Sequence, residues 1–290
     1  MLPVFGIALL APLVLLFTAL IALTVLTHRN VQTGNDPARI AAVPSLRHTL
    51  HVFLGATLLD IIACALLVAY SISYAYGNSY SATNHISAVG SFLMLLASTG
   101  LLTTIAHLAT GVRHAASGGT YTSRKLHRAI TYLTLFAVLC FVVYFIYRQV
   151  AWSMGRRYGM AGYVLAIIVL VALALLFIAA ATVFVYSIKG HKQMKSMGAG
   201  SDYVRIGKKV AIIAGLNLII FGWMIVSFVL GFGIGYDAGF WMIIDLVIWK
   251  VGMFALLVWI YFIGKKGAGG LWSAGGGLCV PEVEEQAGYA

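Results

Sequence analysis

Seven stretches of 19 to 28 residues contain almost no charged side chains, and this pattern constrains the fold more than any motif does. A helix of about 20 mostly apolar residues can cross the roughly 30 Å hydrocarbon core of a bilayer. Only 9% of the residues are charged, against about 25% in an ordinary soluble domain. We therefore predict an all-α integral membrane protein, built as a seven-transmembrane-helix bundle. The predicted spans are 4–27, 49–76, 86–112, 129–147, 161–188, 210–234 and 240–263.

The basic residues between the spans predict how the bundle is oriented. The loops after spans one, three and five hold 3, 4 and 6 Lys or Arg, and the segment after span seven holds 2. The loops on the opposite side hold 3 in total. Because cytoplasmic loops are enriched in Lys and Arg, we expect the N-terminus outside and the C-terminus in the cytoplasm. Residues 1–264 then form the transmembrane domain, and the Gly-rich segment 265–290 forms a flexible cytoplasmic tail.

The net charge of +11 follows from this asymmetry and does not indicate a nucleic-acid partner. The expected partner is the lipid bilayer, and the basic stretch "KGHKQMK" after span five is suited to attract anionic lipid headgroups. The loops do not specify any cytoplasmic protein partner. No HExxH or CxxC motif is present, so no metal site is predicted.

Four ionisable residues inside the spans have no hydropathic explanation, and such residues usually face a bundle interior or a wet cavity. They are Asp60, His107, Asp245 and Lys250. Asp60 and Lys250 both fall near the membrane midplane when counted at 1.5 Å per residue. We expect them to form a buried ion pair, because an unpaired charge there would cost several kcal/mol, about 3–5 when one partner of such a pair is removed. The pair either only locks two helices together or also serves a bound ligand.

Asp245 precedes Lys250 by five residues in span seven. On a regular α-helix this spacing directs the two side chains about 140° apart, so they would not share a face. A π-helical turn between them, which has i to i+5 bonding and often occurs at functional sites, would bring them closer together. A π turn in this part of span seven is therefore a specific hypothesis.

The stretch "IDLVIWKVG", residues 244–252 with one Asp and one Lys, resembles the seventh helix of microbial rhodopsins. In that family the Lys binds retinal as a Schiff base and the carboxylate stabilises its charge. "LLTT", which contains Thr103, is similar to the family's third helix, and Trp223 is similar in position to a ring-stacking Trp of the retinal pocket. The resemblance implies retinal as cofactor and a cofactor site formed by Lys250, Asp245, Asp60, Trp223, Trp249 and Thr103.

The sequence departs from the rhodopsin pattern at several positions. The family separates its Asp and Lys by four residues, and its third helix carries a carboxylate where this chain has Thr99 and a Pro where it has Ile105. The arginine near the outer end of that helix is also missing. Without the carboxylate proton acceptor, the resemblance implies a sensor or a divergent relative and not a light-driven pump, with Asp60 as a candidate substitute counterion.

Two further hypotheses come from other classes of protein. Asp60 and Asp245 in an apolar pocket could protonate an epoxide or alkene, as in the membrane-embedded terpene cyclases that the chain resembles in having seven spans. Haem is a second alternative, because neutral imidazoles ligate haem iron. The candidate haem ligands are His51, His107, His114 and His127. The leading hypothesis is a receptor-like or opsin-like protein with a small apolar ligand at a midplane polar site centred on Lys250.

Overall fold

The computed structural model is helical throughout the residues it describes, which are 2–31, 37–72, 76–116, 124–154, 160–196, 201–233 and 243–264. Within these residues there are seven helices and no strand. The helices are α1 (Leu2–Asn30), α2 (Pro37–Ile72), α3 (Tyr76–Ala116), α4 (Arg124–Ser153), α5 (Met160–Ser196), α6 (Ser201–Gly233) and α7 (residues 243–264). The predicted cytoplasmic tail, 265–290, lies outside the described residues.

All seven helices are long and apolar enough to cross a membrane. The shortest candidate span, Ile243–Ile263, has 21 residues, or about 31 Å at 1.5 Å per residue, which matches the hydrocarbon core. The prediction of an all-α seven-transmembrane-helix bundle is therefore confirmed. The direction in which the bundle crosses the membrane stays a prediction from the basic loops.

One predicted boundary is wrong. The predicted spans 49–76 and 86–112 place the polar stretch "GNSYSATN", residues 77–84, in a break between spans two and three, but it is helical and belongs to α3. The physical reason is that a helix satisfies its own backbone hydrogen bonds, so it can continue from lipid into water without an apolar side chain at each position. Only residues 73–75 separate α2 from α3.

The helices follow one another around the bundle in chain order, and α3 lies towards the centre of the bundle. Each helix contacts the next one along the chain, α7 also contacts α1, and α3 additionally contacts α5 and α6. In α3, 56% of an 18-residue apolar stretch is buried, whereas in the other six spans 22–39% of such a stretch is buried. Large apolar side chains such as Leu15, Leu135 and Ile167 remain more than half exposed, as expected where the solvent is lipid.

The α2–α3 interface is close because small and hydroxylated residues form it. A Cβ atom added to Gly100 would lie 2.5 Å from Thr49 Oγ1, so only glycine fits there. Beside it, Thr104 Oγ1 donates to Ser45 Oγ at 2.9 Å, and Ser45 Oγ lies 3.2 Å from the Gly100 carbonyl oxygen. Small residues and interhelical hydrogen bonds are what hold helices together in lipid, so α2 and α3 form a rigid pair that positions Asp60.

Candidate functional site

Asp60 of α2 and Lys250 of α7 form an ion pair, as the sequence predicts. Lys250 Nζ lies 2.5 Å from Asp60 Oδ2, and the two side chains are 19% and 12% exposed. Both residues lie within about 7 Å of the middle of their spans, Ala42–Ala69 and Ile243–Ile263, at 1.5 Å per residue. The pair therefore joins two helices near the centre of the membrane and is partly accessible.

A π-helical turn, Leu246–Val251, contains Lys250. The N–H of Gly252 donates to the carbonyl of Val247, five residues earlier, which is the bonding that defines a π turn. Regular α geometry from residue 244 to 251 would have excluded the hypothesis, and the structure has the π turn instead. The wider turn narrows the angle between Asp245 and Lys250, so both side chains can point towards the bundle.

Asp245 binds α6 and not Lys250. Its Oδ1 accepts a hydrogen bond from Trp223 Nε1 at 2.7 Å, and Ser227 Oγ lies 2.9 Å from Oδ1 and 3.1 Å from Oδ2. Trp223 and Ser227 are four residues apart and so share one face of α6. Of the two predicted counter-charges, Asp60 is the direct partner of Lys250, while Asp245 forms a second polar cluster beside it.

Trp249 links the π turn to the central helix. Its Nε1 donates to Ser98 Oγ of α3 at 2.9 Å, and Ser98 Oγ donates to the Met94 carbonyl, also at 2.9 Å. Ser98 is almost fully buried. The predicted site residue Thr103 lies further along α3 and donates to the carbonyl of Thr99 in its own helix. The hydrogen bonds therefore connect Trp249 to the α3 side of the site and leave Thr103 outside it.

Gly90 of α3 lies against the Asp60 carboxylate, on the oxygen that does not contact Lys250. A Cβ atom at this position would lie 2.9 Å from Asp60 Oδ1 and 3.5 Å from the Ala56 carbonyl oxygen. One carboxylate oxygen thus contacts the backbone of α3 while the other contacts Lys250. A side chain at residue 90 would displace the carboxylate.

The sequence does not predict Ser98, Ser227 or Gly90 as site residues. A signal existed for Ser227, because it follows Trp223 by four residues and therefore lies on the same helical face. For Ser98 and Gly90 the chain offers several equivalent Ser and Gly residues in span three. Only the positions of the neighbouring helices distinguish them.

The two carboxylates of the site have different partners. Asp60 balances a cation, whereas Asp245 accepts hydrogen bonds from the neutral donors Trp223 and Ser227. The Lys250 amine is a nucleophile once it has lost its proton, and Asp60 is at hydrogen-bonding distance to receive that proton. The site thus has the groups needed to bind a carbonyl compound covalently and to balance the resulting charge.

Two of the four candidate haem ligands, His51 and His107, have side chains in the described part of the structure. The ring of His51 lies against that of His28, with centroids 5.2 Å apart. His107 is half-buried within α3, while the side chains of His114 and His127 lie outside the described part of the chain. Among the described residues no group of three or more His, Cys, Asp or Glu is arranged to hold a metal ion.

The fold and the site define a seven-helix integral membrane protein with a partly buried Lys–Asp ion pair at mid-membrane depth. Comparisons with protein-family models, with curated proteins and with solved structures give no match to this chain.

Proposed function

We propose that this protein is an opsin-like membrane receptor in which Lys250 binds retinal covalently and Asp60 is the counterion. The observation that carries the proposal is the Lys250–Asp60 ion pair in a π turn near mid-membrane depth, with both side chains partly accessible. An amine that only locked two helices together would need neither the accessibility nor the widened turn. The resemblance of residues 244–252 to the seventh helix of microbial rhodopsins supports the same function.

The chemistry of these side chains fits an apolar aldehyde. Retinal would supply a conjugated aldehyde whose condensation with the Lys250 amine releases water and leaves a nitrogen that can hold a proton. Asp60 balances the positive charge at Lys250 Nζ, and Gly90 keeps the carboxylate in place. The Trp249–Ser98 hydrogen bond fixes the π turn against α3. Without a carboxylate at Thr99 to receive the proton, the function proposed is sensing and not proton pumping.

The experiment is an absorption spectrum of the purified protein with and without all-trans retinal. We expect a visible band with retinal in the wild type, its loss in Lys250→Ala, and its retention in Lys209→Ala, which removes a lysine outside the site. Asp60→Asn should move the band, because the counterion sets the charge balance at the nitrogen. A folded wild-type sample without a visible band, or a band that persists in Lys250→Ala, would refute the proposal.

The same spectrum tests the two alternatives. An acid-catalysed cyclase needs a protonated carboxylic acid. The ion pair with Lys250 favours the charged form of Asp60, so Asp245 is the remaining candidate for the catalytic acid of a cyclase. A Soret band in the untreated protein would instead favour the histidines as haem ligands. The absence of both the retinal band and the Soret band would favour the enzyme hypothesis.

A further inference from the structure

The contacts between α5 and α6 fix the register of these two antiparallel helices. Three glycines of α6 lie directly against residues of α5, so a Cβ atom added to any of them would be within 3.5 Å of its neighbour. The pairs are Gly222 with Phe177, Gly215 with Phe184 and Gly207 with His191. In each pair the two residue numbers add up to 398 or 399. The residue of α6 that lies at the same height as a given residue of α5 is therefore found by subtracting the α5 residue number from about 399.

This register brings six basic residues to matching heights at one end of the bundle. Lys189 lies level with Lys209, Lys192 with Lys208, and Lys195 with Arg205, to within about one residue. All of them are exposed except Lys209, which is half-buried. The sequence from 186 to 210 contains one acidic residue, Asp202. These six cations lie at matching heights at the ends of α5 and α6, and we refer to them together as the basic surface.

The depth of the basic surface selects its partner. Asn217 is the middle residue of the α6 span Val204–Leu230. At 1.5 Å per residue, Lys209 lies about 12 Å and Arg205 about 18 Å from that level along the helix. The hydrocarbon core ends at about 15 Å from its centre, and the polar headgroup layer extends to about 20–22 Å. Long basic side chains that reach outwards from these positions end among lipid headgroups, below the level at which a soluble protein would dock.

The register carries this depth across to α5. Residue 182 of α5 lies level with Asn217, so Lys195 is about 20 Å from the midplane, and α5 ends one residue later at Ser196. We propose that the basic surface formed by α5 and α6 binds the phosphate groups of anionic lipid headgroups. Ammonium and guanidinium groups form charge-assisted hydrogen bonds with phosphate oxygens. The inference is independent of retinal binding.

The test is native mass spectrometry of the detergent-purified full chain, titrated with dioleoyl phosphatidic acid and, separately, with dioleoyl phosphatidylcholine. The test variant is Lys192→Gln/Lys208→Gln. The matched control, Arg29→Gln/Arg128→Gln, removes two exposed cations from the same end of the bundle but from α1 and α4. Because one cation near an anionic surface is worth about a fivefold change in binding, the test variant should lose about 30-fold in phosphatidic acid affinity. The control should change by about twofold or less.

The outcomes separate the proposal from its alternatives. The stated loss, together with weak phosphatidylcholine binding, supports the lipid site. Equal losses in both variants would mean that the cations act only through net charge, which overturns the proposal. Full displacement of the lipid by millimolar inorganic phosphate would show a site for the free ion and would also overturn it. Circular dichroism of each variant must first show that its helices are intact.

Discussion

A double-mutant cycle at the Asp60–Lys250 ion pair tests the central feature of the site without any ligand. Two unit charges 2.5 Å apart attract each other by about 7 kcal/mol at an effective dielectric constant of about 20. Desolvation of both groups offsets part of this attraction, and removal of one partner of a buried pair typically costs about 3–5 kcal/mol. We therefore expect Asp60→Asn and Lys250→Met each to lower the free energy of unfolding by about 3–5 kcal/mol.

The double variant should recover most of this loss, because two neutral side chains leave no charge stranded in the membrane. The measurement is unfolding by sodium dodecyl sulfate in mixed micelles, followed by circular dichroism. Asp245→Asn is the matched control, since Asp245 binds Trp223 and Ser227, and its coupling to Lys250→Met should be much smaller. A double variant that loses the sum of the two single losses would refute the assignment of Asp60 as the partner of Lys250.

Two further substitutions test the surroundings of the carboxylates in the same unfolding assay. Gly90→Ala should destabilise the protein by about 1–3 kcal/mol by overpacking against Asp60. Gly55→Ala, whose Cβ would make an ordinary 3.6 Å contact, should cost less than about 1 kcal/mol; equal losses would contradict the crowding at Asp60. Ser227→Ala should cost about 1.5–3 kcal/mol by removing a donor to Asp245. Ser227→Thr keeps the hydroxyl, so a loss as large as that of the alanine variant would show that the hydrogen bond is not responsible.

The parts of the structure that depend on the solvent could be predicted from the sequence. A bilayer imposes a minimum length on each apolar helix, so seven long apolar stretches predict seven spans. It also makes an isolated charge costly, so Asp60 and Lys250 at similar depths predict an ion pair, which the structure contains. The five-residue spacing of Asp245 and Lys250 shows that a π turn is needed if both side chains are to point inwards. The sequence does not show that they do, so it predicts the π turn only as a hypothesis, which the structure confirms.

Features that depend on helix packing were not predictable. The chain has 31 glycines, and nothing in the sequence indicates that Gly90 is the one against Asp60. Ser98 is one of several hydroxylated residues in α3, and only the approach of α7 makes it the acceptor for Trp249. Residues 77–84 have turn-forming composition, yet they continue α3. Local composition does not decide where a helix ends once it has left the lipid.

The π turn changes the direction in which the side chains of α7 point before and after it. Its exposed side chains at residues 243, 247, 251 and 255 recur every four residues, a wider period than the 3.6 of an α-helix. α7 is fixed to α6 through Asp245 and to α2 through Lys250. The two attachments lie five residues apart, so a rotation of α7 would strain both at once. Loss of either attachment would thus change the strain at the other through a single helical turn.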